Sequence, residues 1–429
     1  MMQGAEQTVK VSFGEGWDRA SRTVVRPLSP TGAEARDRAG KPYVMVYRLE
    51  GRSSPIEVHL VAWGDSHVGG WAYDDQGRRT GEVDLRLLEP GRLFIRHIAQ
   101  WRYDTEDQAE FAPDAERSYT DLFPGGKGRS VSEPKGDRGP SRHTLAGIPE
   151  ENRWHDRSLF GVCGARQLLL TQLSTSEQQP QFVDATESET EASCADRVAD
   201  ARPSPWVPPR PARPTHLKEL FEPGTRIATN FEPEMTVTAV RDIAALRVPS
   251  GRLVVADPDT EGHSAGRELS ERIPPGEYPV QAAVVAYEHQ RGDKRIANQD
   301  EVAVRLLLGE ETVVSWELAL TEEDDPRLLR EGEFFGFDTD CAAGAFADAS
   351  GWEVLADKYR LYLVEQEDDA GETLSEGYLR TTDDVTGSDL VSFYTGGDGT
   401  YPVWMGRAST GKPVCVVVLT AYLPELRLL

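Results

Sequence analysis

Cysteine is scarce and scattered in this chain. Its 429 residues hold four, Cys163, Cys194, Cys341 and Cys415, with no Cys-x-x-Cys pair and no tight Cys/His group. A disulfide-built secreted domain uses more cysteines at closer spacing, and a structural zinc site needs ligands a few residues apart, so neither organises this chain. Cations are also short: Lys plus Arg is 47 against 72 Asp plus Glu, for a formal charge of −25. Phosphate neutralisation takes clustered Lys and Arg, so this balance opposes binding to nucleic acid or to an anionic membrane surface. No run approaches the ~18 apolar residues of a membrane span. The opening Met1-Met-Gln-Gly-Ala-Glu lacks a basic stretch followed by an apolar core. The expectation is a soluble, cytoplasmic protein with reduced thiols. Catalytic signatures are missing as well: there is no Gly-x-Ser-x-Gly, no Gly-x-x-x-x-Gly-Lys and no dinucleotide fingerprint. His59, His67, His97, His143 and His155 lie without ligand spacing and read as scattered core or surface residues.

What is present is enough apolar material for real cores, 38% of residues, in a length that suits two or three domains. A polar stretch from 174 to 215 divides it. The first part runs through Thr186-Glu-Ser-Glu-Thr-Glu-Ala-Ser and cannot bury enough apolar surface to offset its ordering entropy. The second, Arg202-Pro-Ser-Pro-Trp-Val-Pro-Pro-Arg-Pro-Ala-Arg-Pro214, reads as semi-extended polyproline. Together they predict a flexible, acidic then Pro-rich linker. The alternative is a docking ligand for an aromatic-lined groove, with Trp206 as its anchor.

On both sides of that stretch the pattern is β. Residues 1–173 hold Pro42–Leu49, Ile56–Trp63, Val83–Leu88 and Leu93–Trp101, rich in β-branched and aromatic residues between turn signals. Ala109–Phe123 reads as a short helix, and Ser158–Leu173 as a last strand or short helix. Residues 216–429 hold Met235–Val240, Arg252–Ala256, Val280–Tyr287, Val302–Leu308, Thr312–Leu320 and Val414–Leu419, with one short helix inside Asp338–Gly351. Few amphipathic helices separate these runs. The fold class is therefore mainly β: two antiparallel domains, each a sandwich or partly open barrel, joined by the Pro-rich linker.

Two segments of the second domain share one pattern. Ile273-Pro-Pro-Gly-Glu-Tyr-Pro-Val280 and Gly396-Gly-Asp-Gly-Thr-Tyr-Pro-Val-Trp404 each set turn residues before Tyr-Pro-Val. They belong to a longer series: Gly251-Arg-Leu-Val-Val-Ala-Asp-Pro258, Pro275-Gly-Glu-Tyr-Pro-Val280, Arg295-Ile-Ala297, Trp316-Glu-Leu-Ala319, a Gly336-to-Asp348 element, and Gly397-Asp-Gly-Thr-Tyr-Pro-Val403. With these elements in this order, the segment from Leu217 to Leu429 resembles the bacterial family catalogued as domain of unknown function 4241. It departs where Asp340 stands in place of the family's usual glycine and where extra residues precede Phe346. The resemblance implies a domain boundary and a set of positions, and no activity. Nothing in 1–173 is similar to a known family.

Four constellations carry candidate chemistry. Tyr278, Tyr401 and Trp404 are expected to line one shared cleft built by the two Tyr-Pro corners. Arg295 and the Trp316–Glu317 pair are expected to form an ion pair or a ligand clamp, because guanidinium suits bidentate contact. Asp338, Asp340 and Asp348 are candidate ligands for calcium or magnesium, which need several oxygens on flexible turns, and Asp398 between two glycines is a further ligand-binding candidate. Cys341 is the best-placed thiol, although the local charge is acidic and disfavours the thiolate. The expectation is a non-enzymatic protein that binds a basic protein partner through its acidic surface, in an immunity-type or toxin-associated role. The alternative is a metal-assisted hydrolase or small-ligand enzyme using the Asp-rich loops.

Overall fold

The computed structural model describes residues 8–134, 139–171, 180–186, 189, 205–228, 234–259, 266–291, 294–364, 370–375, 377–421 and 426–429. The chain divides into two compact units, Met1–Pro209 and Arg210–Leu429. Both are mainly β and their strands pair almost wholly antiparallel. No described helix is long and apolar enough to cross a membrane.

The first unit contains β1 (Thr8–Asp18), β2 (Thr23–Leu28), β3 (Tyr43–Leu49), β4 (Glu57–Ala62), β5 (His67–Tyr73), β6 (Arg79–Glu89), β7 (Arg92–Arg102), β8 (Glu116–Leu122), β9 (Gly128–Glu133), β10 (Ser141–Leu145), β11 (Trp154–Asp156) and β12 (Gln181–Asp184). One sheet runs β10-β9-β8-β7-β6-β5-β4-β3-β1-β12, with β2 beside β1 and β11 beside β7. Among the described residues its ends, β10 and β12, do not pair, so it is not a closed barrel. From β3 to β10 each strand neighbours the next in sequence, which is the local route for an antiparallel sheet. A helix, α1 (Pro30–Arg38), follows β2. Ser29 caps it through Oγ, which accepts from Gly32 N at 3.1 Å, and Pro30 opens the first turn.

Two readings of this unit are corrected. The span expected to hold a short helix, Ala109–Phe123, instead contains β8, paired in register with β7 and β9. Its Tyr119 and Thr120 suit a pleated surface, and a strand on each side satisfies its backbone. Residues 158–171 form neither a strand nor a helix beyond a 3₁₀ turn at Arg157–Leu159. The N–H groups of Leu169, Leu170 and Thr171 donate to the Glu57 carboxylate, the first at 2.5 Å, so a buried side chain replaces a ladder. Burial pushes the Glu57 carboxyl up, but His59 at 2.6 Å and those N–H groups outweigh it and hold the carboxyl below its ordinary range.

The segment expected as a linker is shared between the units. Residues 172–179, 187–188 and 190–204, Cys194 among them, lie outside the described residues. Within the rest, β12 pairs parallel with β1, and Pro205 bridges Asp18.

The second unit contains β13 (Arg226–Ala228), β14 (Met235–Val248), β15 (Arg252–Ala256), β16 (Glu268–Arg272), β17 (Gly276–Arg291), β18 (Lys294–Leu307), β19 (Ser315–Leu318), β20 (Gly336–Thr339), β21 (Ala343–Asp348), helix α2 (Trp352–Val364), β22 (Glu372–Ser375), β23 (Tyr378–Asp383), β24 (Ser388–Tyr394), β25 (Gly399–Arg407), β26 (Pro413–Leu419) and β27 (Arg427–Leu428). Its larger sheet runs β19-β25-β26-β18-β17-β14-β13-β27, with β20 also on β25; its smaller sheet runs β16-β15-β21-β24-β23-β22. The two face each other across one core, in which Val280, Val304 and Val416 meet Val255, Phe346 and Phe393. The outer face of the smaller sheet is covered by α2, whose Trp352, Leu355, Ala356 and Tyr359 recur at helical spacing on Val254, Ala345 and Leu390. The outer face of the larger sheet buries Val237, Val285 and Val417 under Leu217, Leu220 and Phe221. Strands buried on both faces explain the unbroken apolar run Val414–Leu419. The short helix expected inside Asp338–Gly351 is replaced by β20, β21 and a 3₁₀ turn, Ala349–Gly351, that leads into α2.

Candidate functional site

The two Tyr-Pro corners are built alike. In each, the tyrosine hydroxyl donates to the carbonyl four residues earlier, Tyr278 to Pro274 and Tyr401 to Gly397, the latter at 2.8 Å. Gly397 and Gly399 take φ of +141° and +149°, which admits the tight loop around Asp398. Burial pushes the Tyr278 phenol up. The corners do not share a cleft. β17 and β25 run antiparallel with β18 and β26 between them, so their starting residues lie at opposite ends of the sheet. The row of Tyr401 crosses β17 near Val284, roughly 20 Å along the strand from Tyr278. Trp404 points to the other face of β25 from Tyr401, as period-two alternation requires: Tyr401 joins the inter-sheet core and Trp404 the outer one. Tyr278 and Tyr401 therefore lie at opposite ends of one core and Trp404 on the other face of the sheet, so the three do not line the single recess expected of them.

Arg295 and Glu317 do not meet either. Arg295 lies near the tip of the β17–β18 hairpin, exposed, 3.7 Å from Glu288. Glu317 pairs with Arg407 instead, at 2.5 Å. That second pair belongs to a larger arrangement which the sequence pattern did not reveal. β16 is an edge of the smaller sheet and β19 an edge of the larger one. Arg407 bridges them: Nε donates to Glu317 on β19 and Nη2 to Glu271 on β16, at 2.6 Å. Burial pulls the Arg407 guanidinium down, and the two carboxylates outweigh that and raise it. Ser270 N donates to Leu320 O at 2.8 Å, and Arg267 spans to Ala319 O and Asp324.

Between these edges opens a cleft of about 680 Å³, walled by β16, by β19 with its flanks, and by the Pro211–Pro214 segment. The segment is held in place by Ala212 N donating to Glu333 O at 2.8 Å. Val314 lines the cleft at 61% exposure, a high value for a valine, and Trp316 is half-buried beside it. Gly406 makes room for Trp316, since a Cβ there would stand 2.9 Å from the indole. Trp404 also lines the cleft; it is 4% exposed and its Nε1–H has no hydrogen-bond partner among the described residues. Trp316, Glu317 and Trp404 thus come together, although not with the other residues expected beside them.

The aspartates separate into two sets. Asp348 is fully buried and its carboxylate accepts from Ser250 N and Oγ and from Ser350 N and Oγ, at 2.5–2.8 Å. It fixes the turn before α2. Asp338 and Asp340 lie at the far end of β21, roughly 17 Å from it along the strand. Asp338 is exposed and accepts from Thr400 Oγ1. Asp340 groups instead with Cys341 and Asp257, their ligand atoms all within 4.8 Å of one another. Asp257, which follows β15 within the Gly251–Pro258 element, stands out in the sequence by no ligand spacing; β15 and β21 are paired and carry it there. Asp398 occupies the loop opposite Asp340, since Thr339 pairs with Gly399. Burial raises the Asp257 carboxyl. The Cys341 thiol is pushed up to about 12 by a hydrogen bond to Asp259, by burial and by the surrounding carboxylates. That shift favours the neutral thiol over the nucleophilic thiolate.

All six motif elements now have places in one layered body. Residues 246–418 match the family described as Protein of unknown function (DUF4241). The match leaves the N-terminal half without a family. It is narrower than the resemblance read from Leu217 to Leu429, and it covers the cleft's β16, β19 and β25 and the Asp257–Asp340–Cys341 group. The Pro211–Pro214 wall lies outside the DUF4241 match. No curated protein and no solved structure matches this chain.

Proposed function

We infer that the protein is a non-enzymatic binding protein whose second unit takes an extended, basic segment of a partner protein into the cleft between β16 and β19. The observation that carries this reading is the approach of two sheet edges around two apolar side chains, the exposed Val314 and the half-buried Trp316, in a chain of formal charge −25. An edge strand directs half of its backbone groups outward, and an added strand satisfies them. Glu271 and Glu317 offer carboxylates at the cleft that a partner's Lys or Arg meets in competition with Arg407. The surplus negative charge speeds encounter with a basic partner. An immunity-type or toxin-neutralising role fits this chemistry. The test is capture from the native host with the full chain, followed by cross-linking. A basic protein whose cross-links fall on 314–318, and whose capture is lost with Val314→Asp and Trp316→Ala, is expected. Capture indifferent to both substitutions, or no protein partner at physiological salt, overturns the reading.

A second reading rests on Asp257 and Asp340, whose carboxylate oxygens come together, with the neutral Cys341 thiol beside them, at one end of the sheets. Calcium or magnesium bound there would serve a small-ligand or hydrolytic reaction. Thermal melts with and without each ion distinguish it: a rise in midpoint that Asp340→Asn removes supports this reading, and no rise dismisses it.

A further inference from the structure

The first unit holds a cluster that the cleft does not involve. On β5 the side chain of His67 is 1% exposed, and on the neighbouring β6 Asp84 is 5% exposed. His67 Nδ1 stands 3.1 Å from Asp84 Oδ1, and Arg86 Nη2 donates to the other Asp84 oxygen at 2.7 Å. Neither ring nitrogen of His67 makes a hydrogen bond among the described residues, Nδ1 only standing near Asp84, and neither does Nε1 of Trp71, which is 1% exposed. Folded proteins satisfy such buried polar atoms with protein, water or ligand, so each marks a place where a polar group is expected.

The ring of Trp206 lies over this place. It stacks on Trp71 at 27° and meets His67 edge to face. The backbone around it is seated as well: Trp206 N donates to Trp17 O at 2.8 Å. Gly69 forms the floor. A Cβ at Gly69 would stand 2.5 Å from Cζ2 and Cη2 of Trp206 and 2.9 Å from His67 Nε2. The carbon edge of the indole and the unmet nitrogen therefore converge on one point. Trp206 fills the slot by shape and leaves its polar side unanswered.

We propose that this slot is a binding site for a flat heteroaromatic ring with a hydrogen-bonding edge, of the nucleobase class, and that Trp206 occupies it as a built-in surrogate. A base stacked on Trp71 in place of the indole presents a ring nitrogen or an exocyclic amine where Trp206 presents Cζ2 and Cη2, and so reaches His67 Nε2. Asp84 beside Nδ1 orients the imidazole for that contact. The ligand is a free base or nucleoside, because a strand of nucleic acid meets a chain of charge −25. Trp206, tethered in the same chain, competes at a high effective concentration, so the wild-type protein binds weakly and the variant lacking the ring binds more tightly.

Calorimetric titration of the full-length chain with adenosine, guanosine and indole tests this. Trp206→Ala is expected to bind at least one nucleoside about tenfold or more tightly than wild type. Adding His67→Ala or Gly69→Ala to that variant is expected to remove the gain, the first by deleting the polar contact and the second by filling the edge. If Trp206→Ala does not fold, Trp206→Leu covers Trp71 without a ring and is titrated in its place, with the same tightening expected at smaller size. A folded variant by circular dichroism that takes up neither nucleoside at millimolar concentration overturns the proposal. So does indole binding as tightly as the nucleosides with no effect of His67→Ala, which would make the slot an apolar packing site.

Discussion

Residue by residue, burial sorts the carboxylates that composition alone cannot. Asp348 and Asp398 both sit beside glycine or small residues in the sequence, yet Asp348 is fully buried and Asp398 exposed. Asp348→Ala would strand the N–H groups of Ser250 and Ser350 in the core, and hydrogen bonds to a charged group are worth more than neutral ones. A loss of about 3 kcal/mol is expected, read from the urea midpoint at unchanged slope. Asp398→Asn is expected to stay within about 0.5 kcal/mol of wild type. Asp84 supplies a pH signature. Burial works to raise it, but His67 and Arg86 win and hold it at about 2. A carboxyl depressed on folding contributes stability that is full above its unfolded value and lost as pH falls through its folded one. The first unit should therefore weaken as pH drops from about 4 to about 2, followed by near-ultraviolet circular dichroism. Asp84→Asn should flatten that slope while lowering stability at neutral pH.

Among the elements, strands with clear alternation or dense β-branching were legible from sequence: β3, β4, β7, β15, β17, β18 and β26 lie where those patterns ran. Elements defined by their partners were not. β8 carries one apolar residue, Leu122, beyond its Tyr119, and becomes a strand because β7 and β9 flank it. Helix α2 does carry its 3.6-residue period, in Trp352, Leu355, Ala356 and Tyr359, but the Gly- and Ala-rich run before it hides where the helix begins. The paired Tyr-Pro corners were legible as one device used twice, and their separation was not, because only the strand order puts β17 and β25 antiparallel with two strands between them. The first motif glycine has a backbone explanation. Gly251 takes φ +69°, and a Cβ there would stand 2.4 Å from Ile273 O, between β15 and the turn that opens β17. Gly251→Ala is expected to cost about 2 kcal/mol, read as a lowered thermal midpoint, with Gly309→Ala, where an added Cβ meets nothing within 4 Å, as the comparison.

At the scale of the whole molecule, charge is spread unevenly between local pairing and long-range field. Many arginines are matched by carboxylates, and Arg407 by two, so the cations are largely spent within the fold while the surplus of acidic groups remains. A surplus of this kind acts at a distance: it governs encounter, and it is screened over about 8 Å at physiological salt. The cleft's Val314 and Trp316 act only on contact. The two contributions therefore separate kinetically. Raising salt from low to physiological strength should slow association with a basic partner by about tenfold while leaving dissociation nearly unchanged. Trp316→Ala should do the reverse, speeding dissociation with little effect on the association rate. Surface plasmon resonance with the captured partner measures both. Salt and Trp316→Ala acting on the same rate constant would mean that the acidic surface and the cleft are one contact, and the steering role assigned to the charge would fall.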